Sequence, residues 1–362
     1  MWILQICHSY YPPFLDCARQ YSALFNNSPY KVLTVYLTGA EDAAVARDTC
    51  SDEVAFLGYS SGQVRGLKIA AIRQIKKIVT KHDFKLCIAH RVKPTYVALL
   101  GTKLPVISVH HNYNDYTRWS RRPLINFYKN RMLMLGVSDS VRDDLRRDLT
   151  GWQVERIQTL YNRINVAATK AKLLTRLEAR QQLQLPADAW ILGTAGRLHH
   201  DKDYPTLLRG FAAALPDLLP KSQLIIMGKG PLERELKELS LQLGIAEYVK
   251  FLGHVPNGAS YFSAFDAFAL TSDHEPFGMV LLEAMAAEVP VICSDCGGGA
   301  EVVRGVGHLF RFGDYDDLKA VILNVQHSEQ QKISTEKLIK QFSDESVKAH
   351  FFALDFVKKA LQ

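Results

Sequence analysis

Two successive series of short β-branched runs, each alternating with helical stretches, constrain this chain more than any single motif. The first series reads as strands at 2–7, 31–37, 85–90, 105–110, 132–138 and 154–161, with helical patterns near 15–26, 67–80, 93–101, 123–131 and 139–148. The second gives strands at 190–196, 222–228, 249–253, 266–270, 290–294 and 308–312. Its helices fall near 204–215, 231–243, 257–264, 278–287, 299–304 and 314–325. Apolar strands alternating with helices are the pattern of parallel sheets covered on both faces and joined by right-handed crossovers. The alternation breaks once, over the polar stretch 165–189, and then restarts. The expected fold is α/β, with two Rossmann-like domains at 1–165 and 166–344. An amphipathic tail, 345–362, is expected to cross back and pack on the first. Ligands collect at the carboxyl ends of strands in open parallel sheets, so two such sheets facing each other would hold one substrate each.

With 362 residues and 48% hydrophobic content, the chain has material for two cores. No apolar run approaches the roughly eighteen residues of a spanning helix. The opening MWILQICHSYYPP has neither a basic leader nor a small-residue cleavage site, and reads as a first strand rather than a signal peptide. Six cysteines, at 7, 17, 50, 87, 293 and 296, are scattered, mostly among apolar neighbours. That suits reduced thiols in a cytoplasmic protein better than a disulfide frame. The net charge of +7 is uneven: residues 1–165 hold 23 Lys and Arg against 13 Asp and Glu, and the remainder 21 against 24. Only the first half should prefer an anionic partner, whether a phosphorylated acceptor, an acidic lipid surface or nucleic acid; a simply solvated surface is the plainer alternative. No zinc-finger, RNP or KH signature accompanies the charge, which argues against nucleic acid.

The stretch HEPFGMVLLEAMA (274–286) carries two glutamates, Glu275 and Glu283, on either side of Pro276 and Gly278. Pro276 disfavours helical geometry at Glu275, so a helix should begin near Phe277–Met279, with Glu283 one to two turns inside it. The carboxylates would then lie about 9–12 Å apart along the axis. An inverting glycosidase needs about 6.5–9.5 Å and a retaining one about 5–5.5 Å. This spacing suits two ends of one extended ligand: a sugar at Glu275, phosphates at the helix start, ribose hydroxyls at Glu283. Three more stretches follow strands in the same half. GRLHHDKDYPTLLRGFAAAL (196–215) places Gly196, Arg197 and Lys202 at a strand end, the cations being suited to bridging a diphosphate. MGKGPLERELKEL (227–239) offers Gly228 and Gly230, where backbone can approach a ligand. CGGGAEVV (296–303) sets three glycines before a helix, an oxygen-binding nest.

In the order GRL…KD, GKGP, FLGHVP, E-x7-E and GGGAE, the second half resembles glycosyltransferase family 4, the retaining enzymes of GT-B fold. The resemblance continues more weakly through VSDSVRDDL (137–145) and LYNRIN (160–165), where Arg163 replaces the family's glycine. It implies an acceptor on the first domain and a nucleotide-diphosphate sugar on the second, as co-substrate rather than cofactor. It further implies that Arg197 and Lys202 bind the diphosphate and stabilise it as leaving group. Glu275 would hold the donor sugar, with the backbone of Phe277, Gly278 and Met279 nearby. Glu283 would take the ribose, and Gly253, His254 and Val255 would run along the base. His110, in SVHHNYN (108–114), matches the family's active-site histidine, with His111 as the alternative. The family's Gly-Gly turn is missing from HSYYPPFLDCARQY (8–21), where Pro12 and Pro13 are expected to stiffen an acceptor-side loop.

The resemblance implies front-face substitution onto a saccharide or lipid-linked saccharide, such as a growing lipopolysaccharide. No metal site is expected: DKD (201–203) has the letters of an Asp-x-Asp motif, but a lysine separates the carboxylates. CSDC (293–296) lacks a second ligand pair for zinc. A nucleotide-sugar 2-epimerase of related two-domain fold is the alternative activity. Finally, TRWSRRPLINFYKNRMLML (117–135) combines Arg118, Arg121, Arg122, Lys129 and Arg131 with Trp119, Phe127 and Tyr128. It fits a helix lying on an anionic membrane, which would make the protein peripheral on the inner face of the cytoplasmic membrane, or equally an ordinary amphipathic helix.

Overall fold

A computed structural model describes residues 1–11, 14–327 and 335–362; Pro12 and Pro13 lie outside the described residues. The chain forms two compact units, Met1–Asn162 together with Val347–Gln362, and Arg163–Ser346.

Among the described residues, the first unit holds seven parallel strands: β1 (Trp2–Cys7), β2 (Lys31–Thr38), β3 (Glu53–Tyr59), β4 (Phe84–His90), β5 (Val106–His110), β6 (Met132–Gly136) and β7 (Ile157–Thr159). Their order is β3-β2-β1-β4-β5-β6-β7, so the winding reverses between β1 and β4. β1 is buried almost throughout, and its one polar residue is accommodated by bonding: Gln5 Nε2 donates to Ala18 O, Ser22 Oγ and Thr34 Oγ1 at 2.8–3.1 Å. Strand β3 was not anticipated. It lies at the sheet edge and is half-exposed along most of its length, although its sequence EVAFLGY holds an apolar run, Val54–Leu57, like that of a central strand. The tail completes this unit: the Phe351 ring packs edge-on against Phe25, Tyr30 Oη donates to Leu361 O at 3.2 Å, and Arg156 stacks over Phe356.

The second unit holds six parallel strands among the described residues: β8 (Ile191–Ala195), β9 (Gln223–Met227), β10 (Val249–Gly253), β11 (Ala267–Leu270), β12 (Val291–Ser294) and β13 (His308–Phe310). Their order, β10-β9-β8-β11-β12-β13, reverses between β8 and β11. The polar stretch 165–189 is not a bare linker. It folds as helices Val166–Lys170 and Arg176–Gln182, the second opened by a capping box of Thr175 and Glu178. Arg180 in that helix is 1% exposed. It donates to the carbonyls of Ala264, Pro186, Ala187 and Ala189 and pairs with Asp266 at 2.8 Å. A buried guanidinium is tolerable only when its donors are matched this fully.

At the boundary, Arg163 pairs with Asp344 at 2.7 Å and Ile164 N donates to Phe342 O at 2.9 Å. The residue that stands in place of the family's glycine therefore has a structural partner, near the two points where the chain passes between units.

The segment 117–135 is not one helix. It is a 3-10 turn at Trp119–Arg121, a short helix at Arg122–Phe127, a second 3-10 turn at Lys129–Arg131 and then β6. Arg121, Arg122 and Arg131 donate to backbone carbonyls of Asp115, Tyr116, Leu99 and Thr102. Most of its basic charge thus ties loops together, while Trp119 and Phe127 stand exposed. Among the described residues no helix is long and apolar enough to cross a membrane.

Candidate functional site

In open parallel sheets the crevice for ligands lies outside the carboxyl ends of the strands where the winding reverses. In the second unit that place is between the loop after β8 and the loop after β11. The first carries Gly196, Arg197 and Lys202; the second carries Ser272, Glu275 and the helix Met279–Ala286. Thr271 Oγ1 donates to Lys202 O at 2.9 Å, and Asp273 N to Asp201 O at 3.2 Å, so the two loops are stitched into one wall.

Lys202 Nζ lies 2.5 Å from Glu275 Oε2, and Ser272 Oγ donates to the same oxygen at 3.3 Å. Both charged side chains are largely enclosed, at 17% and 13% exposure. Glu275 is fixed from behind as well: Gly298 N donates to Glu275 O at 2.8 Å, and a Cβ on Gly299 would come within 3.5 Å of its side chain. The glycines of CGGGAEVV therefore seat Glu275 rather than forming an open nest. The helix starts at Met279, as its proline-glycine signal predicts, with Gly278 at φ 88° immediately before it. Phe277 is buried, its ring edge-on to Phe342, and anchors the turn.

Beside this wall is a pocket of about 320 Å³ lined by Gly196, Arg197, Gly228, His254, Val255 and Glu283, with Lys229, Phe262 and Val280. Six expected donor-site residues thus share one cavity. Gly253 stands just behind, its carbonyl accepting from Gly228 N at 2.7 Å. Gly228 and Gly230 have a further reason to be glycine. A Cβ on Gly228 would sit 1.8 Å from Gly196 O, and one on Gly230 would sit 2.2 Å from Leu198 O. They let the loops after β8 and β9 close on one another, and Gly230 lies under Leu198 rather than in the pocket. The sequence reading missed Lys229, Val280, Phe262 and Ser272. Lys229 stands inside the GKG turn and was open to notice; the other three have no local signal.

The carboxylates of DKD are engaged elsewhere. Asp201 bonds His199 Nδ1 at 2.6 Å and lies 3.5 Å from exposed Arg197, while Asp203 accepts from Thr206 N at 3.4 Å and caps the following helix. Among the described residues no group of three or more His, Cys, Asp or Glu could hold a metal ion.

His110 belongs to the first unit and differs from expectation. It ends β5 but is 0% exposed. Its Nδ1 bonds Asp115 Oδ2 at 2.7 Å and its Nε2 bonds Ser108 Oγ at 2.8 Å. With both ring nitrogens committed, it positions Asp115 and presents nothing to a ligand, so the expected direct catalytic role is withdrawn. Burial alone would raise the Asp115 carboxyl; the hydrogen bond and charge of His110, with Arg91 and Arg121, hold it below its ordinary value instead. His111 is likewise enclosed, between His90 Nδ1 at 3.1 Å and Cys17 Sγ at 3.5 Å. Burial, then the neighbouring His90, His110 and Arg91, push it well below the usual histidine range, and burial with His110 lowers His90 to about 3. Both are neutral imidazoles at pH 7.

Comparison with known proteins fits this geometry. Residues 175–342, most of the second unit, match the family model described as glycosyl transferases group 1. The fold is that of GT-B proteins: a solved structure of Anabaena Alr3699/HepE in complex with UDP superposes with a TM-score of 0.79 at 21% identity, over 97% of this chain and 98% of that one. Among sequence relatives, a D-inositol 3-phosphate glycosyltransferase of Stackebrandtia nassauensis is 40% identical over 136 residues, 34% of this chain and 30% of the relative. The lipopolysaccharide core biosynthesis glycosyltransferase LpsD of Rhizobium meliloti is 34% identical over 125 residues, 34% of this chain and 35% of the relative. The chain spans only about a third of the length of either relative in these matches.

Proposed function

We propose that this protein is a retaining glycosyltransferase, moving a sugar from a nucleotide-diphosphate sugar to a saccharide or lipid-linked saccharide. The observation that carries this reading is the convergence of the Lys202–Glu275 pair, Arg197 and the start of the helix Met279–Ala286 beside a pocket walled by Glu283, all where the second sheet reverses. A ligand with a ribose at Glu283 and a sugar at Glu275 would pass its diphosphate along the helix start. The positive end of the helix dipole and two cations are arranged there for it. The family match over this unit, the UDP in the Anabaena structure and the relatives named for sugar transfer support the same reading, and favour transfer over the 2-epimerase alternative.

In the step proposed, the bond from the sugar's anomeric carbon to the diphosphate oxygen breaks, and the acceptor oxygen bonds that carbon on the same face. The acceptor's proton passes to the departing diphosphate. Lys202 and Arg197 stabilise the charge that develops on the leaving group, and Glu275 holds the sugar while its pairing fixes the Lys202 ammonium. This arrangement places cations where a divalent metal would otherwise serve, and we propose transfer without one. The exposed Trp119 and Phe127 would supply any peripheral membrane contact; sedimentation with anionic and neutral vesicles tests that, and equal pelleting with neither removes it. The function itself is tested by incubating the protein with UDP-, GDP- and ADP-sugars. Slow nucleotide release from one of them is expected, an altered sugar would indicate epimerisation, and a protein that binds none refutes the proposal.

A further inference from the structure

The winding of the first sheet reverses between β1 and β4, and there, among the described residues, three cations meet a single carboxylate in a cavity of about 320 Å³. His8 follows β1 and Arg91 follows β4. Lys93 stands in the first turn of the helix Val92–Gly101, and Asp115 and Arg121 come from the segment after β5. Arg91 adopts φ 71°, a conformation that an arginine holds only when its surroundings impose it. The one carboxylate in the lining is already occupied, by His110 at 2.7 Å and Arg91 at 3.7 Å.

Lys93 has neither hydrogen bond nor ion pair among the described residues, and its ammonium is disfavoured by burial and by Arg65, Arg91 and Arg121. His8 Nδ1 is buried with no hydrogen-bond partner among the described residues. Buried polar atoms are nearly always satisfied, and like charges are rarely gathered without a counter-charge. Both deficits are met by one thing, a bound anion. Phe14 and Pro94 form apolar parts of the same lining, with Arg91 over the Phe14 ring at 5.9 Å, so the anion has room for an uncharged remainder.

We propose that this cavity seats the acceptor and selects one that bears a phosphate or diphosphate group. The assignment to an acceptor rests on the transfer reading above; the anion site itself does not. The same chemistry is carried by a soluble sugar phosphate and by the head of a lipid-linked sugar, and the probes separate them. The full chain is titrated calorimetrically with inorganic phosphate, mannose 6-phosphate and farnesyl diphosphate, with mannose and farnesol as uncharged counterparts. Saturable binding of charged probes alone is expected, weakened about tenfold or more by Lys93→Ala and by Arg121→Gln, each of which removes a charge-assisted contact. Lys221→Ala, an exposed lysine of the second unit paired with Asp188, should leave it unchanged. Preference for farnesyl diphosphate points to lipid-linked acceptors, and preference for mannose 6-phosphate to soluble ones. Probes that do not bind, bind as well without their phosphate, or are indifferent to both Lys93→Ala and Lys93→Glu overturn the proposal. Because Lys93 touches no described partner, its variants should fold; Arg121→Gln loses the bond to Asp115 O, and circular dichroism verifies the fold of all of them. Nucleotide binding in the same variants keeps the two readings apart: a chain that takes the anionic probes but no nucleotide retains this site and loses the transferase.

Discussion

Replacing Gly228 by alanine should disable the pocket proposed to take the nucleotide while leaving most of the fold intact. The new Cβ would lie 1.8 Å from Gly196 O, and ordinary contact begins at 3.4 Å, so the two loops would have to part by about 1.6 Å. Gly196 and Gly228 both line the pocket, and Arg197 follows directly. A displacement of about 1 Å at a reacting centre commonly costs about 10²-fold in rate. We expect nucleotide affinity to fall at least tenfold and turnover about a hundredfold. Gly228 also has φ 142°, which adds about 1–3 kcal/mol of backbone strain for alanine. Gly244→Ala provides the control. Gly244 has φ 69° but nothing within 4 Å of its would-be Cβ, so it carries strain without collision. Urea denaturation and calorimetric titration with the preferred nucleoside diphosphate should show Gly244→Ala destabilised by about 1 kcal/mol with unaltered affinity, and Gly228→Ala impaired in both. If Gly228→Ala binds nucleotide within twofold of the parent, the loops yield freely and the close approach does not shape the pocket.

The other expectations can be stated briefly. Lys202→Ala and Glu275→Ala should each lower turnover by about 10²–10³ with native circular dichroism, and full activity in either would defeat the charge-stabilisation scheme. Transfer should persist in excess EDTA; abolition that added Mg²⁺ or Mn²⁺ reverses would require a metal. Arg180→Ala leaves Asp266 as a buried, partly unpaired charge and should cost about 3–5 kcal/mol in chemical denaturation, whereas a loss below 1 kcal/mol would make that network incidental. His90, held near 3 when folded, takes up its proton only on unfolding as pH falls from about 6.5. Stability of the first unit should therefore be complete above that pH and decline below it by about 1.4 kcal/mol per pH unit from this group. His8 and His111 are shifted the same way and add to the decline. His90→Gln should flatten the dependence, and an unchanged slope would mean that the imidazole is not buried neutral.

Central strands were the easiest part of this architecture to read, because strands buried on both faces leave continuous apolar runs such as VICS at β12. Edge strand β3 was equally open to reading, since Val54–Leu57 is a continuous apolar run, and it was passed over. The helix Arg176–Gln182 within 165–189 escaped because its anchor is not apolar periodicity. It is one arginine, Arg180, whose acceptors lie as far along the chain as Ala264 and Asp266. Much of the candidate site's geometry was legible because helix starts and glycine turns are local signals. The direct pairing of Lys202 with Glu275 was not, since the two are 73 positions apart and meet only through the order of β8 and β11. His110 was correctly placed at a strand end and wrongly oriented: sequence position fixes where a side chain begins, while Ser108 and Asp115 decide where it points.

The interrupted makeup of the first unit has a consequence for how the protein is born. A ribosome finishes residues 163–346, an unbroken stretch, before it releases the tail that covers Phe25 and Tyr30. The unit begun first must therefore wait, with that apolar patch bare, until residues 347–362 have been made. Truncation at the carboxyl terminus should accordingly damage the amino-terminal half of the molecule, and a holding chaperone would find its footing there.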